Sequence, residues 1–260
     1  MQEKLQHQRH TLAHLLASAV LELYPDTKTT IGPAIDDGFY YDLDFTSPIN
    51  DKDLEKIEKK MKELLPKWTE FTHQEVTEDI AKSTFLENQY KNELITEIVA
   101  KGEKITVYTC GGFTDLCRGG HSENPAKEIP SDSFKLDRVA GAYWRGDEKN
   151  KMLTRIYGLA FSTKKELEDY IFQKEEALKR DHREIGKKLE LFTFDEEIGK
   201  GLPVWLPNGT IVKEELENWA KETERKWGYK RVSTPIITKE NLFYTSGHLP
   251  LYKESMYAPI

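Results

Sequence analysis

The sequence predicts an α+β protein made of two units. Apolar residues recur at spacings of three and four along His10–Tyr24, which is typical of an amphipathic helix. Apolar and polar residues alternate over Phe39–Phe45, which indicates a strand. A highly charged stretch, Thr163–Glu190, separates two patterned regions. With 260 residues, the chain has room for more than one hydrophobic core.

The first predicted elements end at sequence breaks. The helix over His10–Tyr24 stops at Pro25, because proline cannot continue a helix. The next strand is half-buried, with its apolar side chains on one face. Those side chains are Phe39, Tyr41, Leu43 and Phe45. A second helix covers Leu54–Leu65 and stops at Pro66.

The pattern continues to residue 161 with further helix and strands. Ile80–Ala100 is predicted to be mainly helical. Ile105–Cys110 is predicted as a strand that runs into a glycine-rich loop. Two more strands are predicted over Lys135–Val139 and Met152–Phe161.

The charged stretch Thr163–Glu190 predicts one long linker helix. Thr163 and Glu166 form a capping box at its start. The stretch holds eight basic and eight acidic residues, which favours a solvated rod over a buried helix. Beyond it we expect new strands, a helix over Val212–Trp227 and a strand over Arg231–Ile237. The expected domains are residues 1–162, 163–192 and 193–260.

Composition excludes several classes of protein. No apolar run approaches the roughly 20 residues that a membrane span needs, and the polar start does not have the layout of a signal peptide. Two cysteines cannot form a disulfide framework, so we expect a cytoplasmic protein with no membrane partner. The net charge of −7 means that any nucleic-acid partner must meet a local basic patch.

Two histidines on the first predicted helix are candidate metal ligands. His10 and His14 stand at positions i and i+4, so both imidazoles project from one helix face. The alternative is that they are two surface histidines. Without further ligands, the pair alone favours this alternative.

The segment GGFTDLCRGGH adds a thiol and an imidazole, Cys117 and His121, four positions apart among glycines. Glycine permits the tight turns that aim both side chains inward. With His10 and His14 they would make a tetrahedral set of three nitrogens and one sulfur. Taken singly, Cys117 is a small buried hydrophobe and His121 a turn residue bonded to backbone. The four together favour a functional pocket.

Three further side chains are candidates near this pocket. Asp115 lies two residues before Cys117, where a carboxylate could orient a histidine or accept a proton; a turn-forming role is the equal alternative. Lys91 and Arg118 could meet a phosphate or a carbonyl oxygen, whereas most lone basic residues are solvated. The other histidines are interpreted as structural. They are His7, His73, His182 and His248.

These motifs carry a resemblance to a known family. HTLAH in the first helix, GFYYDLDF on the next strand and DLCRGGH in the loop resemble the editing module of threonyl-tRNA synthetase, which is related to the alanyl-tRNA editing fold. AGAYWRGDEKNKMLTRIYGLAF, DHREIGKKLELF and the stretch that begins GLPVWLPNGT resemble the linker and the class II motif 1 region of the same enzyme. In that family motif 1 ends in a proline, which matches Pro235.

The resemblance implies a fold, an activity and a site. The fold is a two-part editing domain, a linker helix and an incomplete class II antiparallel-sheet domain. The site residues are His10, His14, Cys117 and His121 with Asp115, and Lys91 in NQYK matches a catalytic lysine. The implied activity is hydrolysis of serine wrongly esterified to threonine tRNA, in a parent enzyme that attaches threonine to that tRNA. We expect a pocket that binds zinc without depending on it for catalysis.

The resemblance also implies partners and cofactors, and the sequence differs from the family pattern in two ways. The partner is the acceptor end of threonine tRNA, motif 1 builds a homodimer, and ATP and magnesium serve the complete synthetase. The family commonly has a small ubiquitin-like domain before the editing module, whereas here the helix begins almost at Met1. The chain stops at Ile260, before any match to motifs 2 and 3, so we expect the aminoacylation site to be absent.

Two alternatives remain. One is a free-standing hydrolase that edits tRNA in trans, which has no use for a motif 1 segment. The other is a non-catalytic tRNA-binding or dimerisation module with a structural zinc. The basic residues at 135–155 form a weak RNA footprint because acidic neighbours dilute them. We also expect poor order or aggregation beyond the linker, where apolar side chains lack partners. Those side chains are Val204, Trp205, Leu206, Ile236 and Ile237.

Overall fold

A computed structural model describes residues 2–258 of the chain, and confirms the α+β class. The chain divides into two compact units, Met1–Leu178 and Lys179–Ile260, called here the first and second unit. The boundary falls inside the stretch that the sequence predicts as a linker. No helix in the described range 2–258 is long and apolar enough to cross a membrane.

The first unit contains six α-helices and eight strands among its described residues, besides three short 3-10 helices. The helices are α1 (Gln2–Leu23), α2 (Leu54–Leu64), α3 (Glu78–Thr84), α4 (Gln89–Ala100), α5 (Pro125–Glu128) and α6 (Lys164–Lys179), the last of which runs one residue into the second unit. The strands are β1 (Lys28–Thr29), β2 (Ala34–Ile35), β3 (Gly38–Asp44), β4 (Thr72–Val76), β5 (Ile105–Cys110), β6 (Phe113–Leu116), β7 (Phe134–Tyr143) and β8 (Met152–Ala160).

The large sheet of the first unit has the order β1-β3-β8-β7, and β2 also pairs with β3. All of its pairings are antiparallel. Helices α1 and α2 pack together, α1 against β3 and α2 against β7. The main hydrophobic core forms here from fully buried side chains. They include Leu12, Leu16, Phe39, Tyr41, Ile57, Met61, Trp68 and Ile156.

Strand β3 is more deeply buried than the predicted half-buried strand. Phe39, Tyr41 and Leu43 face the core, as the alternation predicts. On the opposite face Tyr40 is only partly buried, whereas Asp42 is buried because Arg155 forms a bidentate ion pair with it. Alternation therefore identified the apolar face correctly and missed a second, paired face.

The small sheet has the antiparallel order β4-β5-β6 and is covered by α3 and α4. Strand β5 matches its prediction. The prediction that Ile80–Ala100 is mainly helical is confirmed, although the stretch holds two helices, since α3 ends at Thr84 and α4 begins at Gln89. Asn88 explains the restart, since its side chain accepts hydrogen bonds from the first backbone amides of α4. The predicted loop after Cys110 contains strand β6, which carries Asp115.

The second unit begins with a corrected linker. The predicted continuous helix over Thr163–Glu190 is two helices, α6 and α7 (His182–Lys188). Asp181 separates them, because its side chain caps α7 by accepting a hydrogen bond from the Arg183 amide. The remaining elements are β9 (Phe192–Thr193), β10 (Val204–Trp205), α8 (Pro207–Lys226) and α9 (Asn241–Thr245). Helix α8 starts earlier than predicted, since Pro207 suits a first helical turn.

The predicted strand over Arg231–Ile237 is wrong. The chain there has no regular structure, and Ile236 is fully exposed. Among the described residues of this unit, β9 and β10 pair only with each other, so no strand edge meets this segment. Strand-forming residues without a partner strand do not make a stable strand.

Candidate active site

Helix α1 brings two imidazoles to one place. His10 and His14 are one turn apart, with their Nε2 atoms separated by 3.1 Å. His14 is buried and His10 is partly exposed. The Nδ1 of His10 lies 3.1 Å from the carbonyl oxygen of Gly120 and donates a hydrogen bond to it.

The loop after β6 supplies the thiol and the third imidazole. The Sγ of Cys117 lies 3.5 Å from Nε2 of His10 and 3.4 Å from Nε2 of His121. Gly119 and Gly120 both have positive φ values, of 98° and 83°, which turn the chain back. At Gly119 a Cβ would also come within 2.7 Å of the Tyr108 hydroxyl, so only glycine fits without movement. The predicted role of the glycines in this loop is confirmed.

An aromatic stack holds the third imidazole. The His121 ring lies almost parallel to Phe71, with centroids 4.0 Å apart, and the His10 ring stacks against it at 4.6 Å. Burial lowers the pKa of His121. This ring is therefore fixed in orientation and biased towards its neutral form.

Asp115 is the centre of a buried polar network. Its carboxylate accepts a hydrogen bond of 2.6 Å from the Tyr41 hydroxyl and lies 3.2 Å from Nδ1 of His14. It also pairs with the ammonium of Lys91, and that Nζ is 3.4 Å from the Tyr41 hydroxyl oxygen. The side chains of Lys91 and Asp115 are 2% and 3% exposed, so this ion pair is removed from water.

The network shifts the pKa values of its members. Burial alone raises the pKa of Asp115, but the charge of Lys91 and the bond from His14 outweigh it and leave the pKa well below its usual range. Burial lowers the pKa of His14, yet hydrogen bonds to Asp115 and Cys117 raise it to about 9. His14 is therefore an imidazolium at neutral pH.

Cys117 is the matching anion. Burial raises the pKa of its thiol, but hydrogen bonds from His10, His121 and His14, with the charge of His14, lower it to about 3. Burial likewise raises the pKa of Tyr41 well above its usual value, so its hydroxyl stays a donor. The site therefore holds two anions, the buried Asp115 and the partly buried Cys117, and two buried cations, Lys91 and His14.

A cleft of about 470 Å³ opens onto this network. His10, His14, Lys91, Asp115 and Cys117 line it. Its wall also includes the segment from Thr30 to Pro33 and three side chains of α4, Leu94, Glu97 and Ile98. Three basic residues line it as well: Lys101, Lys104 and Arg118. His121 lines a neighbouring cleft of about 390 Å³ instead.

The chain matches known proteins along nearly all of its length. Residues 105–157 match the family described as Threonyl and Alanyl tRNA synthetase second additional domain. The threonine–tRNA ligase of Deinococcus radiodurans is 49% identical over 259 residues, which cover 97% of this chain and 39% of that protein. This chain is a relative of the threonine–tRNA ligases. Those of Dehalococcoides mccartyi and Staphylococcus aureus are 47% and 46% identical, over 98% and 100% of the chain.

The chain spans 39–43% of the length of these curated relatives. The family match over residues 105–157 includes Asp115, Cys117 and His121 of the site. It does not include His10, His14 or Lys91, which only the longer alignments with the ligases cover. The resemblance inferred from the motifs is confirmed.

Four side chains, two from α1 and two from the loop after β6, could hold a metal ion. One atom each from His10, His14, Cys117 and His121 lies within 4.8 Å of the others. Ligand atoms bonded to one zinc ion at about 2.0–2.3 Å in a tetrahedron stand roughly 3.3–3.8 Å apart. Three pairs in the cluster are separated by 3.1, 3.4 and 3.5 Å. The other pairs lie within 4.8 Å, so the cluster could hold a metal ion.

The structure brings together all six residues singled out from the sequence. Arg118, a weaker candidate, lies at the cleft but pairs with the carboxylate of Glu103. His7 lines the neighbouring cleft, and the other three histidines lie outside both clefts. Sequence reasoning missed Tyr41 as a site residue. A signal existed, because a phenol on the buried face of a strand needs a hydrogen-bond partner.

Proposed function

We propose that the first unit hydrolyses the ester of serine wrongly attached to threonine tRNA. The observation that carries this proposal is the buried network of Lys91, Asp115, His14 and Cys117 at a cleft wall. Threonine–tRNA ligases face a selection problem that explains the need. A site that selects threonine can reject serine, one methyl smaller, by only about 1–3 kcal/mol, so a second site must remove the error.

The charges of the cleft suit an aminoacyl ester. The anions of Asp115 and Cys117, which line the cleft, would hold the free ammonium group of serine, while the buried Tyr41 hydroxyl holds the Asp115 carboxylate by its hydrogen bond. The extra methyl of threonine would clash with the cleft wall. Asp115 is buried and Cys117 partly so, and their interaction with an ammonium is therefore stronger than it would be in water.

The reaction needs one water molecule. Its oxygen attacks the ester carbonyl carbon, the bond from that carbon to the ribose oxygen breaks, and the ribose oxygen takes up the proton that water loses and leaves as a hydroxyl. Lys91 would stabilise the oxyanion, and His10, the partly exposed imidazole, or the neighbouring ribose hydroxyl would carry the proton. Zinc, if bound by His10, His14, Cys117 and His121, would polarise the carbonyl or the water.

The wider activity of the relatives is also proposed for the protein to which this chain belongs. That activity is ATP- and magnesium-dependent attachment of threonine to its tRNA. The tRNA acceptor end would enter the cleft past Lys101, Lys104 and Arg118, whose charges suit phosphates. We keep the prediction that residues 193–260 belong to a class II catalytic domain that dimerises through its motif 1 region.

Deacylation of seryl-tRNA and threonyl-tRNA by the purified chain tests the proposal. We expect serine-selective hydrolysis, and a loss of about 10²–10³-fold in Cys117→Ala and His10→Ala. Cys110→Ala is the matched control, because Cys110 is a buried core thiol outside the cleft. A set with chelator separates catalysis by side chains, which we expect to persist, from catalysis that needs metal.

The four-ligand cluster supports a second candidate, a non-catalytic module that holds structural zinc. That candidate predicts no hydrolysis by a folded protein and a metal that resists the chelator. Hydrolysis of both esters at equal rates would contradict serine selectivity and leave a general deacylase.

A further inference from the structure

The tip of the β7–β8 hairpin (residues 144–151) packs against helix α4, which carries Lys91. Trp144 at this tip is 6% exposed and forms a small separate core with Tyr90 and Leu153. The Tyr90 and Trp144 rings meet edge to face, with centroids 5.2 Å apart. Leu94, one turn after Tyr90, packs on the same cluster.

Polar contacts bind the same tip to the same helix. The indole Nε1 of Trp144 donates a hydrogen bond of 2.8 Å to a carboxylate oxygen of Glu93. The guanidinium of Arg145 lies 3.4 Å from the other oxygen of Glu93 and pairs with Glu97 one turn later. One arginine therefore bridges two successive turns of α4, which suits its forked geometry.

The backbone of Arg145 is unusual. Its φ of 59° and ψ of 17° are left-handed, and the only other such non-glycine residue in the described part of the chain is Glu190. A residue with a Cβ is strained in this conformation, so favourable contacts must offset the strain at Arg145. Its contacts with Glu93 and Glu97 do so.

These contacts bear on the site because of where α4 stands. The helix packs on β5 of the small sheet and on β1 of the large sheet. Lys91 follows Tyr90 directly, and its ammonium reaches Asp115 of β6 and Tyr41 of β3. Leu94 and Glu97 of the same helix form cleft wall. The hairpin β7–β8 belongs to the large sheet, which carries Tyr41. Its tip therefore holds α4 in place between the large sheet and the small sheet, which carries Asp115.

We propose that Trp144 and Arg145 are positioning residues that hold α4, and with it Lys91, in register with Asp115. The role in hydrolysis rests on the proposed function. Neither residue lines the cleft. They act through Lys91, because a shift of about 1 Å in a group that stabilises a transition state can cost 10²-fold in rate.

The test compares three substitutions at Arg145. Arg145→Gly removes the side chain and relieves the backbone strain, so a purely conformational role predicts wild-type activity for it. We expect instead that Arg145→Gly and Arg145→Ala both lower kcat for seryl-tRNA hydrolysis by about 10–100-fold, with KM within about twofold. Arg145→Lys keeps one charge, so its kcat should lie between that of the wild type and those of the other two variants. Glu148→Ala, an exposed change in the same tip, is the matched control.

A double substitution asks whether Arg145 acts through Lys91. In the background of Lys91→Ala, we expect Arg145→Gly to change kcat by less than about twofold. Trp144→Phe keeps an aromatic ring but removes the donor to Glu93, and should lower kcat in the wild-type background. Full additivity of Arg145→Gly with Lys91→Ala would overturn the proposal.

Hydrogen exchange gives a readout that needs neither catalysis nor the Lys91 variant. In Arg145→Gly, we expect the amides of Gln89–Ala100 to exchange about tenfold faster or more, with those of α2 unchanged. Unchanged exchange in α4 would overturn the proposal, whatever the activity. If the wild type is inactive but Arg145→Gly still exchanges faster in α4, the proposed function is refuted and the role of Arg145 in holding α4 is supported.

Discussion

The two units of the chain differ in how they treat their apolar side chains. The first unit buries leucine, isoleucine and aromatic side chains in one extended core and two small ones. In the second unit, the fully buried residues among 179–258 are two glycines, Gly186 and Gly209. Its large apolar side chains include Trp219, Trp227 and Ile236, which are 67%, 80% and 102% exposed.

The two units treat charge differently as well. The first unit buries the pair of Lys91 and Asp115 almost completely. In the second unit, Lys213 and Glu217 form a pair 4.0 Å apart in which both side chains are more than half exposed. In the first unit, charges and hydrogen bonds between closely packed groups shift the pKa values of His14 and Cys117 against the effect of burial, so the candidate chemistry lies where polar groups pack together.

The largest expected effect is the loss of the buried ion pair. Lys91→Met keeps the length of the side chain but leaves the Asp115 carboxylate without its ammonium partner. We expect the free energy of unfolding to fall by about 3–5 kcal/mol, because an unpaired buried charge is costly. Urea denaturation at pH 7 measures it.

Lys213→Met in the second unit is the matched control for that change. An exposed pair contributes little, so we expect a change below about 0.5 kcal/mol. Similar losses in the two variants would contradict the contrast between buried and exposed charge.

A pair of leucines tests the apolar side of the contrast. Leu16 is fully buried and Leu216 is 61% exposed. Leu16→Ala should cost about 3 kcal/mol through lost burial and the cavity that remains. Leu216→Ala should cost less than about 0.5 kcal/mol. A large loss at Leu216, measured in the same denaturation series, would mean that a partner surface covers α8 in solution.

The smallest effect on stability, but a distinct one on reactivity, concerns Cys117. Its pKa of about 3 lies far below the usual 8.5, so the thiolate is already fully formed at pH 5. In Cys110→Ala with chelator present, the rate of alkylation by iodoacetamide should therefore be flat from pH 5 to pH 8. An ordinary thiol reacts about tenfold faster for each pH unit in that range.

The cause of that flat profile can be tested at His14. The pKa of His14 is about 9, so its charge supports the thiolate throughout this pH range. His14→Ala should raise the pKa of the thiol and bring back part of the rise with pH. A tenfold rise per pH unit in the Cys110→Ala protein itself would show that Cys117 is an ordinary thiol.

Local sequence signals predicted much of the first unit. Periodicity located much of α1, and located α2 and β5, with proline breaks after the two helices, because their apolar side chains enter cores that the chain itself supplies. Over residues 11–20, however, α1 is buried on all sides and not on one face alone. The two helix breaks were missed although Asn88 and Asp181 are both good caps. A cap inside a helical pattern is visible only when its bond to the next backbone amides is known.

Long-range order was harder to predict. The segment at 231–237 has the composition of a strand, but a strand forms only against a partner, and none meets it here. In the site, spacing and glycines pointed to His10, His14, Cys117 and His121, which the fold brings together. Tyr41 and the contacts of Trp144 and Arg145 with α4 depend on tertiary packing that spacing does not encode.

The most direct test of the central claim, that the first unit holds a complete serine-ester hydrolase, uses a small substrate. Initial rates are measured for the seryl and threonyl esters of adenosine with the whole chain and with residues 1–178. We predict serine-selective hydrolysis at rates equal within about twofold, because every proposed site residue lies in that unit. Hydrolysis by the whole chain but not by a folded 1–178 protein would contradict the claim.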